Sequence, residues 1–387
     1  MSKKKKNLIN AALIFALLLI VLILSYFLPS SSMLFVVLKK GAIYALIAVS
    51  MNLLNGFTGL FSLGQAGFML IGAYTYAIFT IPVAARTQVY QYFNGGIIQF
   101  TVPVIIALIL AGLAAAVFAL LIGLPVLRLK SDYLAIATLG FAEIIRAIFQ
   151  WNTLGPVTNG SNMLKMFPSF DSIVKDMAKE DGKHEFFKNL FTSAPWLENF
   201  LITMLPILLS GICIVVIVLL INSSYGRAFK AIRDDEVAAE AMGINLARHK
   251  MISFCTSAFF AGIGGAMLAM FQATIQASAF KSGMTYEILL IVVLGGIGSV
   301  TGSCIGSFLF IAASEWWLRG LDAGKFLGIS APGIFRNGFR LVVFSVIIMC
   351  VVLFYRKGIM GDKEFDFERM IGRFKPKKKK GEVSGNE

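Results

Sequence analysis

The chain has 387 residues, of which 57% are hydrophobic and 14% charged, and its formal net charge is +14. Soluble globular domains carry about 25% charged residues, so this composition excludes a soluble protein. Basic clusters at both ends carry much of the charge, which is typical of the cytoplasmic flanks of membrane spans and favours contact with membrane lipid. We expect no nucleic-acid partner, because no folded soluble domain is available to read bases.

Apolar segments along the chain predict membrane-spanning helices. The first, residues 8–28, has no charge and is long enough to cross a hydrocarbon core of about 30 Å. The others lie at 34–55, 59–81, 101–127, 133–151, 198–221, 251–273, 284–318 and 338–356. Glycines at 295–298 interrupt the 284–318 segment, which predicts either a broken helix or two short crossings. The expected fold is an all-α, polytopic transmembrane helical bundle of about 8–10 spans, some broken at Gly-rich segments.

The basic ends also predict the sidedness of the chain, since lysine and arginine favour the cytoplasm. A basic N-terminus at 1–7 and a basic tail at 357–387 would both be cytoplasmic, with the transmembrane domain at 8–356. Two cytoplasmic ends require an even number of crossings, with ten favoured and eight as the alternative. Residues 152–197 then form an extracytoplasmic loop, expected to be an exposed excursion, and 223–250 form a cytoplasmic loop. Lys39 and Lys40 fall outside on this count, which favours a different start for the second span.

Several chemical sites are not expected. The four cysteines lie inside apolar stretches without a CxxC spacing, so neither a disulfide framework nor a metal site is predicted. The chain has no G-x-x-x-x-G-K-[ST] motif for ATP phosphates, and no span carries paired carboxylates or histidines. We therefore expect no enzyme, no catalytic residue and no cofactor.

The polar loop at 223–250 predicts a short helix at the membrane surface. Asp235 is a plausible N-cap with acidic neighbours, and Gly243 suits the position after the helix end. About two helical turns would present small side chains at Val237, Ala238 and Ala241. A helix of this length is only marginally stable by itself. It therefore either docks on a partner protein or is a solvated connecting loop.

Small residues predict close helix contacts inside the bundle. Gly262, Gly264 and Gly265 lie in the run AGIGGAM, and small residues let transmembrane backbones approach each other.

Polar side chains within the spans mark a candidate substrate path, because they are costly in lipid unless they face a cavity or another helix. The candidates are Asn52, Asn55, Gln65, Tyr74, Thr138, Glu143 and Arg146. Glu143 and Arg146 are three residues apart and can pair on one helical face. Hydrogen bonding between helices is the alternative role for the uncharged residues, and structural pairing is the alternative for the two charges.

Five motifs in order resemble the branched-chain amino acid permease family of bacterial ABC importers, in particular its LivM-like membrane subunit. They are GFTGLFSLGQAGFMLIGAYTYAIF, SDYLAIATLGFAEIIRAIF, YGRAFKAIRDDEVAAEAMGINLARHKMISFCTSAFFAGIGGAM, VVLGGIGSVTGSCIGSF and FRLVVFSVIIMCVVLFYRKGIMG. The resemblance covers roughly residues 40–160 and 200–362. It implies a multi-pass subunit of the bacterial plasma (inner) membrane that forms half of a path for branched-chain or related small amino acids. Urea and short amides remain open as substrates.

The resemblance also implies partners: two ATP-binding subunits, a second homologous permease subunit and an extracytoplasmic substrate-binding protein. The loop at 223–250 would be the coupling loop that docks on an ATP-binding subunit. Its E-A-A-x-x-x-G pattern aligns with Ala238, Ala239 and Gly243, although Val237 takes the glutamate position. The coupling residues implied are Asp234, Asp235, Glu236, Ala238, Ala239, Glu240 and Gly243.

A glycine-rich turn of the family matches an outer loop at Thr158, Asn159 and Gly160, which would form a vestibule or dock the binding protein. The alternative function is a self-sufficient secondary transporter or channel for small polar solutes. That alternative needs a proton or ion relay, for which Glu143 and Arg146 are poorly suited.

Overall fold

The protein is a helical membrane protein, seen here in a computed structural model. The structure describes residues 22–26, 32–129, 131–177, 195–317, 325–326, 329–330, 346, 349 and 358–361. Among them, five helices are long and apolar enough to cross a membrane, at Met33–Phe57, Val104–Val126, Tyr133–Gln150, Trp196–Asn222 and Leu246–Gln272. The predicted all-α, polytopic bundle is confirmed.

Helices follow one another along the whole described chain. In order they are α1 Met33–Asn52, α2 Gln65–Thr80, α3 Val83–Val89, α4 Val104–Val126, α5 Ser131–Gln150, α6 Gly155–Thr158, α7 Phe170–Met177, α8 Pro195–Asn222, α9 Ser224–Asp234, α10 Glu236–Ala241, α11 Leu246–Gln272, α12 Ser282–Gly295 and α13 Val300–Ala312. Residues 22–26 are also helical. π-Helical turns at Leu53–Phe57 and Ala313–Trp317 continue α1 and α13, and 3-10 turns lie at Gln91–Phe93, Asn152–Leu154 and Ala277–Ala279.

Two short antiparallel strand pairs accompany the helices. β1 Leu164–Lys165 pairs with β2 Thr274–Ile275, with Leu164 opposite Ile275. β3 Lys325–Phe326 pairs with β4 Ile329–Ser330. The first pair joins the loop after α6 to the end of α11, so it fixes one end of the bundle.

Most predicted spans coincide with a helix, and the differences lie at glycine-rich breaks. The span expected at 59–81 begins as a helix only at Gln65, because the chain turns at Gly59 with a φ of 77° and stays non-helical to Gly64. The 284–318 segment is two helices, α12 and α13, separated where Gly296 and Gly298 take positive φ. Most of 8–28 and 338–356 lies outside the described residues.

α12 and α13 form a tight antiparallel hairpin. The backbones of Gly295 and Gly302 touch, and Gly306 lies against the carbonyl of Ile291, so no side chain fits between the helices. With 14 and 13 residues, each helix is about 20 Å long, which is shorter than the hydrocarbon core. The predicted break at 295–298 is confirmed, and a pair of short crossings stays a prediction.

α11 lies at the centre of the described bundle and packs against α1, α2 and α4. Its small residues allow this. Gly262 lies against Ala111 and Ala115 of α4, and Gly265 lies against the backbone of Met69 in α2. The predicted close helix contacts in the AGIGGAM run are confirmed.

Lys39 and Lys40, which the count of crossings places outside the cytoplasm, lie inside α1. The expected different start for the second span is wrong, because α1 begins at Met33 and places Lys39 and Lys40 in its second turn. Lys40 Nζ lies 2.5 Å from Glu315 Oε1 in the π-helical turn after α13. An ion pair within the bundle therefore accommodates Lys40. This lysine does not need to lie on the cytoplasmic side of the membrane.

The loop after α5 is folded rather than an exposed excursion, which corrects that expectation as far as residue 177. Leu164, Phe167 and Phe170 are buried, and α7 packs on α8. Beside it, the buried guanidinium of Arg86 in α3 donates to three backbone carbonyls, those of Ile78, Ile98 and Phe100. These contacts make a compact cap at the end of the bundle that carries the C-terminus of α2.

Candidate functional site

Residues 223–250, called the coupling segment after the role that the family resemblance implies, contain the short helix that the sequence predicts. Asp235 Oδ1 accepts hydrogen bonds from the amides of Val237 and Ala238, at 2.8 and 3.0 Å, and so caps α10. Gly243 follows the helix with a φ of 85°, and the Ile244 amide donates back to the carbonyl of Ala239. The predicted cap, the predicted stop and the length of about two turns are confirmed.

A second helix in the coupling segment, α9, was not predicted. Ser223 caps it by accepting a hydrogen bond from the Tyr225 amide at 3.2 Å. Phe229 and Ile232 are fully buried and hold the helix against the bundle. A serine cap followed by two apolar residues at helical spacing is the signal that could have revealed it.

α10 points its largest apolar side chains outward. Val237 and Met242 are 78% and 83% exposed, whereas Ala239 is buried against the rest of the segment. Glu236 Oε2 lies 2.6 Å from Lys250 Nζ in the first turns of α11, so this carboxylate ties α10 to the next helix. The outward face is an apolar patch on a helix too short to be stable alone. Met242 was not among the predicted residues.

Arg233 connects α9 to the break after α1. Its Nη1 donates to the carbonyl of Gly56 in the π-helical turn at 3.2 Å. Its Nε and Nη2 donate to Asp234 Oδ1, at 3.1 and 3.0 Å, so Asp234 orients the guanidinium. Gly59 leaves room for this contact, because a side chain there would meet Arg233.

Asn52 continues this connection to the tip of the α12–α13 hairpin. Its Oδ1 accepts from the Gly298 amide at 2.8 Å, and its Nδ2 donates to Ser299 O at 3.0 Å and Ser303 Oγ at 2.8 Å. The amides of Ile359 and Met360 donate to the carbonyls at the end of α12. A continuous set of hydrogen bonds therefore joins α9, the π-helical turn and the hairpin tip.

Three other candidate path residues fix the non-helical entry to α2. Each makes a hydrogen bond within the bundle: Asn55 Oδ1 with the Ser62 amide at 3.1 Å, Gln65 Nε2 with Ser50 Oγ at 2.7 Å, and Thr138 Oγ1 with the Leu63 amide at 3.0 Å. Hydrogen bonding between helices was the alternative to lining a substrate path, and these contacts are of that kind.

Glu143 and Arg146 form the pair that their spacing predicts. Arg146 Nε lies 2.6 Å from Glu143 Oε2, and Arg146 also donates to Gln150. Glu143 Oε1 accepts from the Ser282 amide at 3.0 Å, which places the carboxylate at the N-terminus of α12. A carboxylate is favoured there by the helix dipole, so these contacts are of the kind expected for structural pairing.

Tyr74 is buried beside α5. Its ring packs edge-to-face on Phe149, with centroids 5.0 Å apart. Its hydroxyl has no hydrogen bond of normal geometry to any described residue. The structure thus brings Tyr74 close to α5, which also carries Glu143 and Arg146.

Two polar residues within the predicted 284–318 segment, one of them charged, were not among the predicted site residues. Glu287 and Tyr286 are exposed on the first turns of α12, although the surrounding sequence is apolar. Glu287 and Glu315 both interact electrostatically with the phenol of Tyr44, and Lys40 lies over the Tyr44 ring at 5.7 Å. A carboxylate inside an apolar segment is the signal, because such groups in lipid mark functional sites.

The predicted outer-loop residues are buried. Asn159 and Gly160 turn the chain with φ of 62° and 58°, and Asn159 Nδ2 donates to Val89 O at 3.1 Å. Thr158 Oγ1 accepts from the Gly160 amide at 3.2 Å. The exposed large apolar side chains around this turn are Trp151, Leu154, Met163 and Met166.

The described bundle assigns the chain to the class of multi-pass helical membrane proteins. Its broken helices are linked by hydrogen bonds to an exposed helical segment. The chain matches the family model described as the branched-chain amino acid transport system permease component over residues 33–354. It belongs to that family, which consists of transport components rather than enzymes.

The curated relatives are named as permeases of the same system. The LivM permease proteins of Escherichia coli K12 and Salmonella typhimurium are 34% and 33% identical over 281 and 280 residues, which cover 70% of this chain. The chain spans 61% of the length of these two relatives. A probable LivM of Methanocaldococcus jannaschii is 22% identical over 92% of this chain and 99% of its own length. No solved structure matches the chain significantly.

Proposed function

We propose that this chain is a permease subunit of an ABC importer in the bacterial plasma (inner) membrane. Two ATP-binding subunits, a second permease subunit and an extracytoplasmic binding protein would complete the importer. The observation that carries the proposal is the exposed apolar face of α10, at Val237 and Met242. Such a face on a marginal helix is suited to docking on a soluble partner.

The proposed mechanism transmits movement from the coupling segment to the broken helices. Arg233 and Asn52 hydrogen-bond to backbone at the two breaks, so a displacement of α9 would shift both. In this proposal Asp234, Asp235, Glu236 and Gly243 shape the segment, whereas Ala238, Ala239 and Glu240 belong to the docking helix. ATP-driven closure of the partners would tilt α12 and α13 and open the path to alternate sides.

The proposed sidedness follows from the direction of the helices. α11 runs antiparallel to α1 and α4, so it begins at the end of the bundle where α1 ends. α9, α10 and the hairpin tip lie on this side of the bundle. We assign this side, with both termini, to the cytoplasm because basic residues favour it. The cap around Trp151 and Met163 then faces outward, where it would receive the binding protein, while Thr158, Asn159 and Gly160 hold its turn.

The proposed path runs along the first turns of α12. Three charged groups lie around Tyr44 there: Glu287 of α12, Lys40 of α1 and Glu315 of the turn after α13. The substrate would be a zwitterionic amino acid with a branched apolar side chain. Glu287 would receive its ammonium group, and Tyr74, Glu143 and Arg146 would lie nearby on the path. Asn52, Asn55, Gln65 and Thr138 would act by holding the breaks that let the path change shape.

Reconstitution distinguishes the importer from a self-sufficient carrier or channel. The whole complex in proteoliposomes should take up leucine only with internal ATP and external binding protein, and this chain alone should take up none. Full uptake by the chain alone would instead support the carrier. Separately, if the binding protein fails to bind leucine, isoleucine and valine, the substrate assignment falls and the importer remains.

Glu287→Gln is expected to lower leucine uptake about tenfold or more, because a charge-assisted hydrogen bond contributes about 1.5–3 kcal/mol. Initial uptake rates in proteoliposomes of the complex measure this. Glu198→Gln in the first turn of α8 is the matched control and should transport normally. Unchanged uptake by Glu287→Gln would remove it from the path.

Glu143→Gln with Arg146→Gln tests the paired charges, and unchanged transport there would exclude a permeation role for them.

A further inference from the structure

A cavity of about 410 Å³ lies at the end of α8, away from the charged groups of α12. It is enclosed by α8, α9, the π-helical turn after α1 and the first residues of α13. Its wall is mostly apolar, and its residues include Phe57, Val218, Ile221, Lys230, Arg233 and Thr301. α8 is long and apolar enough to cross a membrane, and it ends at Asn222. In a bilayer that α8 spans, the cavity would lie at the level of the lipid headgroups.

The cavity carries positive charge and no acidic lining residue. Lys230 Nζ lies 5.6 Å from the ring centroid of Phe57, and both residues line the cavity. No carboxylate of the described residues forms an ion pair with Lys230, whereas Arg233 shares its charge with Asp234. Lys230 therefore supplies a cation that a ligand can neutralise.

Apolar surface leads away from the cavity along two helices. On α8, the lining residue Val218 continues at helical spacing to Val215, which is exposed, and to Gly211, around which there is open space. On α13, the lining residue Thr301 continues to Ile305 and Leu309, which are both exposed. A ligand in the cavity can therefore extend an apolar part toward the membrane interior.

We propose that this cavity binds the headgroup phosphate of an anionic phospholipid, with its acyl chains along α8 and α13. The Lys230 ammonium group can pair with the phosphate, and the side-chain amide of Asn222 can donate a second hydrogen bond to it. The exposed apolar surfaces of α8 and α13 can contact the acyl chains. The lysine cluster at 375–380 of the tail is not the expected occupant, because its positive charge would be repelled by Lys230.

Native mass spectrometry of the full-length chain in detergent tests the site. Phosphatidylglycerol should bind the wild-type chain more tightly than phosphatidylcholine with the same acyl chains. Lys230→Gln should weaken phosphatidylglycerol binding about fivefold, since one cation near a lipid surface contributes about 1 kcal/mol. It should weaken phosphatidylcholine binding less, because the choline cation already offsets the charge of that phosphate. The matched control is Arg227→Gln, which removes an exposed cation of α9 that does not line the cavity.

A second variant tests the acyl part with the charge intact. Gly211→Leu would occupy the open space on α8 and should weaken the binding of both lipids. Soluble glycerol phosphate at the same concentration should not displace phosphatidylglycerol, which separates a lipid site from a phosphate site. Equal losses for Lys230→Gln and Arg227→Gln, or displacement by the soluble anion, would overturn the proposal. So would displacement of the lipid by the ATP-binding subunit, because the cavity would then be a protein docking site.

Discussion

Replacing Val237 and Met242 together by aspartate is expected to abolish the association of this chain with ATP-binding subunits, while the chain still inserts and folds. Both side chains are almost fully exposed on α10, so their replacement removes little packing within the chain. Burying each at a docking surface is worth about 1.5–3 kcal/mol. Losing both therefore lowers affinity by about a hundredfold or more, and burying carboxylates adds to the loss.

Copurification of the ATP-binding subunits with this chain measures this effect. Met163→Asp with Met166→Asp is the matched control, because it places two carboxylates at exposed methionines on the opposite cap. The control should retain the ATP-binding subunits in full. Normal copurification of the Val237 and Met242 variant would show that α10 is a solvated connection and does not dock.

Gly265→Leu is expected to prevent α11 from packing in the bundle. A Cβ at this position overlaps the backbone carbonyl of Met69, and a backbone oxygen cannot rotate away as a side chain can. Overpacking costs about 1–3 kcal/mol when side chains can adjust. Here α2 and α11 must separate, so we expect a loss above about 3 kcal/mol, seen as aggregation or as an early thermal transition in detergent.

Gly140→Leu provides the matched control for that substitution. Gly140 lies in the middle of α5, and no atom lies near the position of an added side chain. Its thermal transition should stay unchanged or rise slightly, because glycine within a helix costs up to about 1 kcal/mol relative to better helix formers. Similar transitions for the two variants would show that the contact between Gly265 and Met69 does not limit stability.

The features predicted correctly depend on neighbouring residues or on simple spacing. Asp235 and Gly243 delimit α10 through backbone rules that act within one turn. The contacts of Gly262 and Gly265 follow from the small size of the residues, although the partner helices could not be named. Glu143 and Arg146 pair because three residues bring two side chains onto one face.

The features that could not be predicted depend on residues distant in sequence. Asn52 finds its partners in the α12–α13 hairpin, and Lys40 finds Glu315, so neither environment is visible in the surrounding segment. Thr158, Asn159 and Gly160 resembled a surface turn but are buried, because the chain before them and the end of α11 close over the loop. Residues 59–64 are apolar enough for a span, yet the backbone at Gly59 delays the helix.

The central place of α11 also has a consequence for the order of assembly in the membrane. α2 and α4 both meet the small residues of α11 around Gly262, and these contacts join parts of the chain that are far apart in sequence. During synthesis, α2 and α4 enter the bilayer long before residues 246–272 emerge. The groove that receives α11 must therefore stay open until then, and the core of the subunit closes as a late step of biogenesis.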